Sequence, residues 1–152
     1  MKRLSSIACA LALVLLGSAC SDGLIPPIEG EGPMKARIDG SPFVAALATV
    51  SRSSDRVNVN AAGPSQRGIA FTFPDQGAGT YTIGTGQLVS AAVTIGADQS
   101  WIAGASNGGG SIQVTTFTDS RIVGTFSFSV VATGGQTPNR LQITEGSFDI
   151  EY

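Results

Sequence analysis

Cys20 is the side chain whose neighbours make its chemistry specific: it follows Leu16-Gly17-Ser18-Ala19 in this 152-residue chain. Lys2 and Arg3 give a positive start, Ile7 to Leu16 is an apolar run, and small residues lead to the cysteine. That order is the plan of an export leader, and the cysteine narrows it to a bacterial lipoprotein leader cut before Cys20. The apolar run is about ten residues, half of the roughly 20 that a membrane-crossing helix needs. The sulfur of Cys20 is therefore the expected acyl acceptor. Each buried methylene contributes about 0.8 kcal/mol, so two or three acyl chains hold a small domain on a membrane almost permanently. Gly17 stands where such leaders prefer leucine, with Leu16 one step back, and the plainer alternative is an ordinary leader cut after Ala19. Ser21 follows the cysteine, and Asp22 comes one place too late to signal inner-membrane retention, which favours the outer membrane.

Other reactive groups are sparse. The chain has no histidine, which removes the commonest general base, the usual zinc ligand and every Ser-His or Cys-His nucleophile pair. Gly104-Ala105-Ser106-Asn107-Gly108 spells the G-x-S-x-G elbow, but that motif needs a following helix and a histidine partner. A glycine tract and another strand-like run follow instead, so a loop is expected. Asp39, Asp75, Asp98 and Asp119 fall at turns, where aspartate caps its own backbone, and Glu145 and Asp149 flank an irregular strand. Spacing brings no two of them into one cleft, so a carboxylate-based hydrolase is the minor reading. No D-x-D-x-[DN]-G calcium loop is present. Trp101, the single tryptophan, suits a core or sheet edge better than a sugar-stacking platform. The expectation is a non-enzyme without cofactor or metal.

Charge and cysteine usage narrow the partners. Cys9 leaves with the leader and Cys20 is acylated, so the mature domain has no disulfide and depends on its core. Lys2 and Arg3 also leave, so seven basic side chains face eleven acidic ones, a net charge of −4 with no basic cluster. Nucleic-acid binding is not expected. Residues 20–33 carry Pro26, Pro27, Gly30, Gly32 and Pro33 and read as a flexible tether; the thirteen residues after Cys20, fully extended, reach about 40 Å. The division is a leader over 1–19, the lipidated cysteine and tether over 20–33, and one domain over 34–152.

The elements that must position everything else are strands. Val57 to Asn60, Ile69 to Phe73 and Thr80 to Ile83 alternate with period two. Further runs cover Lys35 to Ile38, Phe43 to Val50, Gln87 to Ile95, Ser100 to Ala103, Ser111 to Thr118, Ile122 to Thr133 and Arg140 to Tyr152. Turn residues separate them, Asn107-Gly108 being the strongest hairpin cue. The spacing predicts an all-β antiparallel sandwich or flattened barrel of about nine to ten strands. Ile122, Gly124, Phe126, Phe128 and Val130 make the strongest core face. Leu141 and Ile143 have the opposite parity to Phe148, Ile150 and Tyr152, which predicts a β-bulge at Glu145-Gly146 with Gly146 left-handed. Gly79-Thr80-Tyr81-Thr82-Ile83 echoes Gly124-Thr125-Phe126-Ser127-Phe128, which equivalent strands of a pseudo-repeat or chance would explain, chance being preferred in a Gly/Thr-rich chain without a third copy.

Lys35-Ala36-Arg37-Ile38-Asp39-Gly40-Ser41-Pro42-Phe43 just after the tether resembles the opening of a family of small, uncharacterised bacterial lipoproteins. Gly124-Thr125-Phe126-Ser127-Phe128 and Ile143-Thr144-Glu145-Gly146-Ser147-Phe148-Asp149-Ile150 resemble its ending. The family is a domain of unknown function common in Bacteroidetes-like organisms. The resemblance implies a β-rich exported domain and supplies no catalytic residue. The functional expectation is a membrane-anchored envelope lipoprotein with a non-catalytic binding or structural domain, meeting an envelope protein or glycan. The alternative is a lipocalin-like carrier of a small apolar ligand, which requires a closed barrel with a cavity.

Overall fold

The computed structural model describes residues 26–84 and 86–152. Cys20 and the expected leader over residues 1–19 lie outside the described residues. Eleven strands make one antiparallel sheet curled into a half-barrel. In chain order they are β1 (Met34–Ile38), β2 (Ser41–Val44), β3 (Leu47–Ser53), β4 (Arg56–Gly63), β5 (Arg67–Pro74), β6 (Gly79–Ile83), β7 (Ser90–Ile95), β8 (Gln99–Ala103), β9 (Gly109–Phe117), β10 (Arg121–Ala132) and β11 (Arg140–Glu151). The run expected over Phe43 to Val50 is two strands. Ala45 N–H donates to Met34 O on one wall, and the next amide, Ala46 N–H, donates to Ala62 O on the other. The chain steps between walls at that dipeptide, which local alternation does not reveal.

β10 is the branch point. One of its edges pairs with β11 along nearly its whole length. The other pairs with β9 from Ile122 to Ser129 and with β8 at Val131 and Ala132. One wall is therefore β2-β1-β11-β10-β9-β6, and the other is β3-β4-β5-β7-β8. Ile122, Phe126, Phe128 and Val130 are all buried, as the sequence pattern requires. β8 and β9 do not pair with each other, so Asn107-Gly108 does not close a two-stranded hairpin. Gly104 to Gly108 is instead an excursion where the chain changes partner along β10, closed by Gly104 N–H to Asn107 O at 2.8 Å. Glycines are needed at its exit: a Cβ on Gly110 would lie 2.4 Å from Phe128 Cα.

The walls interlock through rings. Phe71 of β5 lies 5.4 Å, centroid to centroid, from both Phe126 and Phe148 of the facing wall, and Phe73 lies 4.5 Å from Tyr81. At about 25 cal/mol per Å² and 150–250 Å² per ring, such residues dominate the hydrophobic stabilisation. Trp101 is 1% exposed and donates Nε1–H to Pro138 O at 2.8 Å, so it is a core residue with a satisfied polar edge.

The bulge lies where parity predicts it. β10 and β1 each advance two residues while β11 advances three, between Ile143 and Gly146 on β10's side and between Thr144 and Ser147 on β1's side. The left-handed residue is Glu145, with φ of 52°, and not Gly146. Gly146 is required for a different reason: a Cβ there would sit 2.4 Å from the Phe126 ring and 2.5 Å from Phe126 O. The echoed segments also occupy equivalent places. Both flank β9 in one register, Gly79 and Gly124 opposite Val114, and Tyr81 and Phe126 opposite Ile112. Equal layers of one sheet select equal residues, so the likeness follows from position in the sheet.

Candidate functional site

The carboxylates singled out in the sequence are mostly ion-paired. Arg52 binds Asp75 through Nε and Nη2 at 3.0 and 3.1 Å and reaches Asp119 at 3.4 Å, with its guanidinium over the Phe117 ring. Arg121 grips Asp149 at 2.8 and 2.6 Å. Arg37 Nε donates to Glu145 at 3.0 Å. Hydrogen bonding to Arg121 holds the Asp149 carboxyl below the usual carboxylate range, and the same bonds raise Arg121. Bonding to Asp75 raises Arg52. Burial pushes the Tyr81 phenol up, and its hydroxyl donates to Gly77 O at 2.5 Å. The structure thus gathers Asp75 and Asp119 on one arginine at an exposed rim and keeps Glu145 and Asp149 on separate partners. Among the described residues no three His, Cys, Asp or Glu side chains gather as a metal site, and no helix is long and apolar enough to cross a membrane.

The surface suited to contact lies elsewhere, on the outer face of β3-β4-β5-β7-β8. Odd-numbered residues of β4, β5, β7 and β8 (Val57, Val59, Ile69, Phe71, Phe73, Ala91, Val93 and Trp101) fill the core. Their even-numbered neighbours face outward. Register aligns these into rows: Leu47-Ala62-Gly68-Thr94-Ser100, then Thr49-Asn60-Ala70-Ala92-Ile102-Val131, then Ser51-Asn58-Thr72-Ser90. No side chain in these three rows is charged; the next row, Ser53-Arg56-Pro74, ends the stretch with Arg56 beside Asp55 at 3.8 Å. Most in the three rows are small, and Thr72 Oγ1 donates to Asn58 Oδ1 at 2.8 Å, tying two polar groups to each other. Leu47, 62% exposed, and Ile102, 41% exposed, stand at opposite margins.

Small residues in adjacent strands leave shallow hollows. One of about 380 Å³ lies over Asn60, Gly68, Ala70, Ala92 and Thr94, and a second of about 340 Å³ adjoins it over Ala70, Ala92, Ile102 and the Gly104–Asn107 excursion. The Gly104-Ala105-Ser106-Asn107-Gly108 segment therefore borders this face as a loop, with strands on both sides. The sequence pattern locates β4, β5, β7 and β8 and merges β3 with β2, but it does not show the face, because a face is a property of register across five strands. The signal available was the outward residues of these rows themselves, which are mostly Ala, Asn, Gly, Ser and Thr with no Lys or Glu.

No curated protein and no solved structure matches the chain. A family described as a domain of unknown function, DUF6252, matches residues 31–149, a span holding both the opening and the closing motif. With the whole β domain from β1 almost to the end of β11 inside that match, the chain belongs to the DUF6252 family.

Proposed function

We propose that this chain is an envelope lipoprotein, anchored through acylated Cys20 at the outer membrane, whose β domain binds a protein partner and catalyses nothing. The three uncharged rows on the outer face of β3-β4-β5-β7-β8, with Leu47 and Ile102 exposed at their margins, are the observation that carries the binding reading. Five strands at about 4.8 Å and three rows of side chains give a face of roughly 400 Å². A standard stable complex takes about 800 Å² from each partner, so a narrow or extended partner fits better than a stable self-association. The rows hold no aromatic ring for a sugar to stack on, which favours protein over glycan. The carrier alternative needs an internal cavity, and the rings of Phe71, Phe73, Tyr81, Phe126 and Phe148 occupy the space between the walls.

Two tests separate the address from the binding. Cys20→Ala should release the protein from membranes and abolish acyl labelling; unchanged fractionation and labelling would remove the lipoprotein reading. For the face, mild crosslinking of the anchored protein should recover the same partner from the parent and from Thr125→Arg on the opposite wall. Ala92→Arg should lose it. Equal recovery from all three sinks the choice of face.

A further inference from the structure

Arg37 is only 7% exposed, yet it lies on the outward side of β1, with the opposite parity to Ala36 and Ile38 in the core. The chain's own Pro26–Pro33 segment meets it there. Arg37 Nη2 donates to Pro26 O, Nη1 donates to Gly40 O at 3.2 Å, and Nε donates to Glu145 Oε2 at 3.0 Å. Burying a guanidinium is costly unless its donors are matched, and here all three nitrogens are. Further along, Gly32 passes so close to β2 that a Cβ on it would meet Ala45 O at 2.3 Å and Val44 at 2.8 Å. Pro33 O then accepts from Asp149 N–H at 2.9 Å, continuing the pairing of β1 with β11. The segment is therefore fixed at its start, near its end and at its junction with β1. It begins beside the β1–β2 turn and runs back along β2 before the chain turns into β1.

We infer that Pro26–Pro33 is a strap clasped by Arg37, which Glu145 holds in place, and that this makes the chain leave the domain beside the β1–β2 turn and holds that end toward the membrane. The strap is read from the described residues alone; its orienting role rests on the anchoring proposed above. Only residues 21–25 then separate the acylated cysteine from the clasp. Fully extended they reach about 17 Å, about two-fifths of what a tether running to Pro33 would allow. The end bearing Arg52, Asp75 and Asp119 faces away from the lipid, and the uncharged face is presented sideways. Glycine and proline in this segment serve close passage over β2 as well as reach.

Glu29 and Glu31 make the strap testable with a glutamate-specific protease on the detergent-solubilised full chain. The parent should resist cutting at both sites. Arg37→Met should be cut roughly tenfold faster or more, the scale of one charge-assisted hydrogen bond lost. Glu145→Gln, which keeps the side chain's shape, should fall between them and serves if Arg37→Met melts early. Cleavage of the parent as fast as either folded variant overturns the strap. For orientation, single dyes at Ser41→Cys and Ser120→Cys report proximity to a headgroup quencher in vesicles carrying the acylated protein. Stronger quenching at residue 41 supports the orientation, and equal quenching overturns it while leaving the strap. Failure of the protein to join vesicles at all overturns the anchoring reading instead.

Discussion

Replacing Gly146 by alanine tests whether the bulge is built as described. An ideal Cβ at that position lies 2.4 and 2.5 Å from two atoms of the Phe126 ring and 2.5 Å from Phe126 O. Carbon atoms in contact prefer about 3.5–4.0 Å, so β10 and β11 must part by about 1 Å where they pair most extensively. Overpacking of this kind costs about 3 kcal/mol, at the upper end of its usual range because a carbonyl as well as a ring stands in the way. Two other glycines calibrate the result. Gly135 has φ of 72° and nothing within 4 Å of an added Cβ, so alanine there costs only the left-handed penalty, about 1 kcal/mol. Gly79 has neither restriction, and alanine there should fall within about 0.5 kcal/mol of the parent. At about 4 °C per kcal/mol for a domain of this size, the expected losses in Tm are roughly 12, 4 and under 2 °C. Thermal unfolding followed by circular dichroism reads all three. A Gly146→Ala loss no larger than that of Gly135→Ala would refute the reasoning: Gly146 would then need only backbone freedom, and the ring contact would be irrelevant.

The Asp149–Arg121 pair predicts a pH dependence. Because Asp149 is depressed in the folded state, its contribution is present at neutral pH and is lost as pH falls through its own low titration. Carboxyl NMR should find Asp149 titrating below the usual range and returning to it in Arg121→Gln; the exposed pair should weaken with salt. Trp101→Phe removes the bond to Pro138 O and leaves space in the core, for a cost of about 2 kcal/mol in chemical denaturation. Emission from the lone tryptophan should be that of a buried indole, and long-wavelength emission in the folded parent would contradict its placement.

Alternation is a local property, since successive side chains of a strand point to opposite faces, so the sequence alone determined the β class, most strand positions and the core face of β10. It also placed the bulge, because the parity change from Ile143 to Phe148 needs an extra residue whatever else surrounds it. The sequence did not determine which residue of the bulge turns left-handed. Glycine is the intrinsic choice, but the Phe126 ring occupies the space beside Gly146, and Glu145 takes the positive φ while its carboxylate meets Arg37. The same limit applies to the break at Ala45-Ala46, the change of partner at Gly104 to Gly108 and the strap over Arg37. Each depends on which backbone lies a few ångströms away, and those neighbours are distant in the chain. The uncharged face arises in the same way: its residues are ordinary one strand at a time, and become a surface only when tertiary register sets five strands side by side.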